Sequence, residues 1–83
     1  MSQLPKEITG LVRPDNVDAW IESVPEIRGG MPVIKGTRIT VHAVEARLLN
    51  GDSLDEIAAE NPDLPRAAFA AAVLFAKAHP LPG

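Results

Sequence analysis

Residues 29–40 read Gly-Gly-Met-Pro-Val-Ile-Lys-Gly-Thr-Arg-Ile-Thr, and they separate an acidic, proline-containing front part of the chain from a back part with helical periodicity. No acidic residue occurs in residues 27–44, so Arg28, Lys35 and Arg38 give this region a charge of +3. The residues before and after it each carry a net charge of −3. Arg28, Lys35 and Arg38 are therefore the candidate contacts to an anionic partner, whether nucleic acid or protein.

The length and composition predict one small domain. A chain of 83 residues buries only about 60% of its unfolded surface. It has no cysteine, so disulfides and a Cys-His metal site are excluded as supports, and self-association is expected instead. The net charge of −3 argues against general coating of nucleic acid, so any DNA contact must be local. Without a secretion signal or a long apolar run, we expect a cytoplasmic protein with no membrane contact.

The front part of the chain is expected to be an arm followed by the folded domain. Two prolines and a glycine interrupt residues 1–19, which we expect to be extended, with one short strand near residues 8–12. Apolar and polar residues alternate over residues 21–24, as in a short strand. The predicted domain covers residues 20–79, and residues 80–83 form a short tail.

The glycines of the quoted stretch predict a β element before the helices. Gly29-Gly30 indicates a turn with positive φ. Val33–Ile34 and residues 38–39 flank Lys35-Gly36-Thr37, so we expect a tight hairpin or a pair of short strands. From Thr40 onward the apolar period changes from two to 3.6, which predicts helices.

Caps mark the first two predicted helices. Thr40 is the expected N-cap of the first, whose apolar stripe is Val41, Val44 and Leu48, and Gly51 suits the left-handed position after its end. The second helix begins with a capping box, because Ser53 and Glu56 have the spacing for two reciprocal hydrogen bonds. Leu54, Ile57 and Ala58 are its expected inner face, and Pro62 ends it.

The third helix, predicted from about Arg66 to Ala78, is apolar on almost every side. Its only plausible solvent-facing positions are Arg66, Ala70 and Lys77. A helix of this kind is buried, and two short helices offer too little surface to cover it. We therefore expect a homodimer with a helix interface made by Ala71, Leu74 and Phe75.

The residue inventory does not indicate an enzyme. There is no cysteine or tyrosine, and no motif joins the two histidines, His42 and His79. His42 is expected on a helix surface. Lys35-Gly36-Thr37 lacks the upstream glycine of a phosphate-binding loop. We expect no catalytic residue, no metal site and no cofactor.

The order of a helix, a capped helix, a short turn and a third helix is typical of a helix-turn-helix. A recognition helix presents polar side chains to base edges, whereas this third helix offers only Arg66 and Lys77 among alanines. We therefore expect a helix-turn-helix scaffold whose third helix does not contact base edges. Arg28, Lys35 and Arg38 either contact phosphates in the manner of a wing or are ordinary solvated charges.

The string from Gly29 to Ile39, together with Val41, Gly51, Ser53, Glu56-Ile57 and the later Pro62-Asp63-Leu64, resembles the bacterial family catalogued as domain of unknown function 433. The resemblance covers residues 20–78. It implies a mainly α fold, a small three-helix helix-turn-helix domain of the winged or homeodomain-like kind, preceded by a short β hairpin or strand pair. Pro65 departs from the Ser or Thr common at that position in the family, so the start of the third helix is left open.

The same resemblance implies an antitoxin-like or regulatory protein, since some members are similar to VapB-type antitoxins paired with a PIN-domain ribonuclease toxin. Two hypotheses follow. The first is a non-enzymatic homodimer with a helix-turn-helix scaffold and possible DNA binding. The second is a protein-interaction module that dimerises and binds a PIN-type toxin without reading DNA. A toxin would contact residues 1–19 or an exposed apolar face.

Overall fold

The computed structural model describes residues 14–80. A 3-10 helix, Pro14–Trp20, leads into strand β1, Ile21–Glu22; a 3-10 turn, Arg28–Gly30, then precedes strand β2, Val33–Ile34. The helices are α1, Val41–Leu49, α2, Leu54–Ala59, and α3, Arg66–Ala78. The prediction of a mainly helical domain with three helices after a short strand pair is confirmed. The strand predicted near residues 8–12 lies outside the described residues.

The two-stranded sheet differs in detail from the predicted hairpin. β1 and β2 pair antiparallel, with Ile21 opposite Ile34, whereas residues 38–39 form no strand. The side chain of Thr37 explains this difference: its hydroxyl donates to the Ile34 carbonyl (2.8 Å) and accepts from the Ile39 amide (3.0 Å). The returning segment therefore stays a tight turn, closed by one bridge between Val33 and Thr40.

The predicted ends of α1 are confirmed. The Thr40 hydroxyl accepts from the Ala43 amide at the N-terminus. At the C-terminus Gly51 has φ +104, its amide donates to the Leu48 carbonyl, and the Asp52 amide donates to the Arg47 carbonyl. These two bonds form a Schellman motif, which satisfies the last carbonyls of the helix.

The predicted capping box of α2 is also present. The Ser53 hydroxyl accepts from the Glu56 amide (3.1 Å), and the Glu56 carboxylate accepts from the Ser53 amide (2.9 Å). Leu54 and Ile57 are buried, and Ala58 packs against the core. Because the Schellman motif of α1 and the capping box of α2 occupy consecutive residues, the connection between the two helices has little freedom to rotate.

Helix α3 lies at the centre of the domain. It contacts α1, α2, both strands and the first 3-10 helix. It begins after Pro65, which makes no side-chain cap bond, so the start at Arg66 agrees with the prediction despite the missing cap. Its buried residues are Ala68, Phe69, Ala70, Ala71, Ala72, Val73 and Ala76.

The 3-10 helix Pro14–Trp20 corrects two predictions. Residues 14–19 were expected to belong to an extended arm, yet Val17 and Trp20, three positions apart, turn one apolar face to the core and pack α3 from the side that seemed uncovered. Ala71 is 0% exposed within the single chain, so it has no surface to offer a second copy, contrary to the predicted interface. Leu74 and Phe75 are half-buried.

The predicted solvent face of α3 is wrong at Ala70. This alanine is 0% exposed, although it lies between Arg66 and Lys77 on the helix. Arg66 pairs with Asp55 of α2, and Lys77 approaches Glu45 of α1 at 4.0 Å. The side chains of Arg66 and Lys77 thus extend toward α2 and α1. Ala70, which lies between them on the helix, is therefore on a buried side of α3. Within residues 14–80, no helix combines the length and the apolar character needed to cross a membrane.

Candidate anionic-partner site

The cationic turn, which we define as residues 28–40, starts with an unusual backbone. Arg28, Gly29 and Gly30 have φ values of +52, +64 and +88. The amides of Gly30 and Met31 donate to the carbonyls of Ile27 and Arg28, at 3.0 and 3.3 Å. A left-handed conformation costs a residue with a Cβ about 1–2 kcal/mol relative to glycine. Arg28 therefore sits in a strained position that glycine would occupy freely.

A hydrogen bond joins the two arginines of the cationic turn. Nε of Arg28 donates to the carbonyl of Arg38 at 3.3 Å, across ten positions in the sequence. Both side chains are exposed. The left-handed turn and this bond bring the predicted contacts Arg28 and Arg38 together on one surface.

Lys35 lies at the tip of the same turn. Its amide donates to the Trp20 carbonyl at 2.8 Å, which ties the tip to the start of β1. Gly36, with φ +79, donates its amide to the Glu22 carboxylate at 3.0 Å. The Glu22 carboxylate therefore fixes the backbone of the turn, while the Lys35 side chain points to solvent as an exposed residue.

The three cations of the turn differ from the cations of the helices. Among the side chains of residues 16–80, no carboxylate oxygen lies within 4.0 Å of the charged nitrogens of Arg28, Lys35 or Arg38. Arg66 and Lys77 pair with Asp55 and Glu45. Unpaired guanidinium and ammonium groups on one exposed turn are suited to bind carboxylates or phosphates.

Arg47 is the most strongly engaged cation. Its two terminal nitrogens donate to the two Glu60 oxygens at 2.8 and 2.7 Å, and its Nε donates to Asp52. The hydrogen bonds from Arg47 lower the pKa of Glu60 below its usual value, while those to Glu60 and then Asp52 raise the pKa of Arg47. This network joins α1 to the end of α2, and sequence spacing gave no sign of it because Arg47 and Glu60 are 13 positions apart.

The two histidines meet at the C-terminal end of α3. His42 Nε2–H donates to the His79 carbonyl at 2.7 Å, and His79 Nδ1–H donates to the Phe75 carbonyl at 3.1 Å. The His79 ring also stacks on Phe75 with centroids 4.1 Å apart. His42 was predicted on a helix surface but is half-buried, because it supplies a cap to α3. Both rings thus have structural partners.

The described residues contain no group of three or more His, Asp or Glu side chains placed to hold a metal ion. The exposed residues of α3 are Arg66, Lys77 and Ala78, and both cations are engaged in ion pairs. Because α3 has few free polar side chains, it is poorly suited to contact base edges. The cationic turn is the site that the geometry favours.

Comparison with known proteins agrees with this architecture. A crystal structure of a DUF433 member protein from Anabaena variabilis ATCC 29413 superimposes with a TM-score of 0.70 and 28% identity, over 93% of this chain and 78% of that chain. The uncharacterized protein y4eO of Sinorhizobium fredii (strain NBRC 101917 / NGR234) is 36% identical over 63 residues, which are 76% of this chain. The chain spans only 28% of the length of that relative. The model of the family described as "protein of unknown function (DUF433)" matches residues 21–76, and the chain therefore belongs to the DUF433 family.

Proposed function

We propose that this protein is a non-enzymatic regulatory or antitoxin-like module that binds an anionic partner through Arg28, Lys35 and Arg38. One observation carries the proposal: among the side chains of residues 16–80, no carboxylate oxygen lies within 4.0 Å of the charged nitrogens of these exposed cations, whereas Arg47, Arg66 and Lys77 are all paired. Exposed cations that have no intramolecular partner remain available to an external one.

A protein partner fits the charge distribution better than DNA bases do. Helix α3 is buried over most of its length, so it cannot enter a major groove without unfolding the core. An acidic surface of a PIN-type ribonuclease toxin is the candidate partner, as the resemblance to antitoxin-like proteins suggests. The Arg28 and Arg38 guanidinium groups suit such a surface because each can bind a carboxylate in a bidentate manner.

DNA backbone binding is the second candidate function. The order of α2, a short connection and α3 resembles a helix-turn-helix, and the unpaired cations could contact phosphates beside it. Such binding would be insensitive to sequence, because phosphates carry no base information. With three phosphate contacts, the slope of log K against log salt would be about −2.7.

A matched set of charge variants tests the proposal. We would co-express the protein with a PIN-type ribonuclease encoded beside its gene and follow the complex by size-exclusion chromatography. The triple variant Arg28→Gln, Lys35→Gln, Arg38→Gln should lose the complex. The control Arg66→Gln, Lys77→Gln removes cations that are already paired and should retain it. Equal retention of the complex by both variants, or no complex with the unaltered chain, would contradict the protein-partner proposal.

The DNA alternative has its own measurement. Fluorescence anisotropy of a labelled 30-base-pair duplex, titrated at several salt concentrations, reports the number of phosphate contacts. Arg38→Ala should weaken binding equally on unrelated sequences and change the salt slope by about 1. No binding at low salt removes this candidate.

The homodimer proposal now rests on a smaller surface than the sequence suggested. Leu74 and Phe75 line a depression of about 250 Å³ together with Val17, Asp18, Ala78 and His79. This surface is the part of α3 that the first 3-10 helix leaves partly uncovered. Sedimentation velocity at micromolar concentration tests the dimer, and a stable monomer would exclude it. If the unaltered chain is a monomer, Leu74→Glu should not change the sedimentation coefficient.

A further inference from the structure

The connection between α1 and α2 contains an asparagine with an unusually reactive neighbour. The asparagines of the chain are Asn16, Asn50 and Asn61, and they are followed by valine, glycine and proline respectively. Deamidation begins when the backbone nitrogen of the following residue attacks the side-chain Cγ of asparagine. The β-branched valine obstructs this attack, and proline has no N–H proton to lose. Asn50 is therefore the asparagine whose sequence context favours the reaction.

Solvent reaches both groups that take part in this reaction. Asn50 and Gly51 are exposed. A Cβ at Gly51 would meet no atom within 4 Å, so the space beside its nitrogen is open. Glycine also lacks the side chain that would crowd the approach of Cγ. The fold thus leaves room for a succinimide ring to form at this dipeptide.

The backbone of the folded chain nevertheless holds the reacting atoms apart. Ring closure needs the Gly51 nitrogen on the side of the Asn50 Cβ, but ψ −1 at Asn50 makes that nitrogen eclipse the backbone nitrogen of Asn50 instead. The Gly51 amide also donates to the Leu48 carbonyl at 3.1 Å, and its proton must leave before the nitrogen can attack. Both restraints belong to the Schellman motif of α1, so cyclisation requires this motif to open.

A side-chain ion pair closes the same motif. The Asp52 amide donates to the Arg47 carbonyl at 3.0 Å, and the Asp52 carboxylate accepts from Nε of Arg47. An apolar contact commonly joins these two positions of a Schellman motif, and here an ion pair takes its place. The ion pair therefore adds to the free energy that is needed to open the motif.

We infer that Asn50 is a site of spontaneous deamidation whose rate is set by the opening of the Schellman motif. In the open state the Gly51 nitrogen loses its proton to solvent base and forms a bond to Cγ of Asn50, and the side-chain nitrogen leaves as ammonia. Water then opens the succinimide at either carbonyl, which gives aspartate or isoaspartate. The net reaction consumes one water and releases one ammonia, with no oxidation or reduction.

The product carries a new negative charge at the α1–α2 connection. Asn50 lies three positions after Arg47, so a carboxylate there competes with Glu60 for the guanidinium. It also places negative charge at the C-terminal end of α1, where the helix dipole disfavours it. Isoaspartate in addition lengthens the backbone inside the motif. Deamidation thus loosens the joint between α1 and α2, an effect that does not depend on the proposed function.

The test is incubation of the unaltered chain in mildly alkaline buffer, followed by tryptic digestion and mass spectrometry. The tryptic peptide of residues 48–66 contains both Asn50 and Asn61, and fragmentation distinguishes them. Conversion to aspartate and isoaspartate is expected at Asn50. The acetylated and amidated peptide of residues 48–54 has no folded motif and should deamidate at least about tenfold faster than the folded chain.

Two aspartates provide matched variants. Asp52→Ala removes the ion pair that closes the motif but keeps the Asn50-Gly51 dipeptide. It should speed deamidation roughly two- to fivefold, as expected for one surface ion pair, and hydrogen exchange of the Gly51 amide should rise by the same factor. Asp55→Ala removes the ion pair with Arg66, outside the motif, and should leave both rates unchanged.

Several outcomes would overturn the inference. They are faster reaction at Asn16 or Asn61 than at Asn50, an unaltered Asn50 after the reference peptide has been converted, equal rates in the folded chain and the peptide, or equal rates in Asp52→Ala and Asp55→Ala. Failure of the proposed function would change none of these measurements, because no partner takes part in the reaction.

Discussion

The cationic turn and the helical body, by which we mean α1, α2 and α3, use positive charge in opposite ways. In the helical body, Arg47, Arg66 and Lys77 each face a carboxylate of another element or of the α1–α2 connection. In the turn, the charged nitrogens of Arg28, Lys35 and Arg38 have no carboxylate oxygen within 4.0 Å among the side chains of residues 16–80, and Arg28 has a strained backbone. The helical cations serve the fold, so among the residues that the structure describes the cations available to a partner are those of the turn.

This difference also locates sensitivity to mutation. The helical body depends on burial, because seven residues of α3 are buried. The turn depends on backbone conformation, because three of its glycines, Gly29, Gly30 and Gly36, have positive φ. Substitutions should therefore act through packing in one region and through backbone strain in the other.

The largest effect is expected from Ala71→Asp. A carboxylate at a position that is 0% exposed should cost roughly 3–5 kcal/mol, which is most of the stability of a small domain. Thermal unfolding followed by circular dichroism measures the loss. Ala78→Asp, at an exposed position of the same helix, is the control and should cost less than about 1 kcal/mol. If Ala71→Asp costs no more stability than Ala78→Asp, Ala71 is not buried as the structure describes it.

Gly36→Ala tests the backbone of the turn. The added Cβ meets no atom within 4 Å, so the expected loss of about 1–2 kcal/mol comes only from φ +79. Urea denaturation measures the change in the free energy of unfolding. Gly36→Asn should lose less, because asparagine tolerates the left-handed region. Equal losses for alanine and asparagine would argue against the backbone explanation.

Two variants of Arg28 separate the effect of backbone strain on stability from the effect of losing the side chain. Arg28→Gly and Arg28→Ala both lose the hydrogen bond to the Arg38 carbonyl, but only glycine relieves φ +52. The glycine variant should be more stable than the alanine variant by about 1 kcal/mol. The difference between two urea midpoints is the measurement. If the alanine variant is as stable as the glycine variant, Arg28 is not strained.

The smallest effect concerns the paired charges of the helical body and its dependence on pH. Because Arg47 lowers the pKa of Glu60 below its usual 4.5, the pair stabilises the folded state above that pH. The stabilisation is lost as the pH falls through the lowered pKa. Urea unfolding of Glu60→Gln should therefore differ from that of the unaltered chain at pH 7 and converge with it in acid. Glu26→Gln, at an exposed loop position, should show no such convergence.

Much of the helical framework could be predicted because its signals are local. Thr40, Ser53 and Gly51 occupy the cap positions that their side chains or φ angles favour, and each cap is present. The apolar character of α3 correctly indicated burial. Ile21–Glu22 and Val33–Ile34 form strands within the predicted segments, but the prediction paired Val33–Ile34 with residues 38–39 instead of with Ile21–Glu22.

The remaining features depend on contacts between distant residues. Helical periodicity placed Ala70 on the solvent side, because it cannot show that Arg66 and Lys77 reach carboxylates on α2 and α1. The Arg47–Glu60 pair and the bond from His42 to the His79 carbonyl also join residues far apart in the sequence. The three cations of the candidate site could be predicted from charge alone. The strained turn that brings Arg28 close to Arg38 could not be predicted in this way.

The 3-10 helix Pro14–Trp20 sets a practical limit on where this domain can be cut or joined to others. The family match begins at Ile21, directly after this 3-10 helix, which packs against α3. A fragment that starts there would expose to water the side of α3 that the 3-10 helix covers, and it should associate with itself or with chaperones. Any multidomain protein with a junction at this point must supply another apolar surface in its place, so the unit that can be transplanted is longer than the segment that the family model matches.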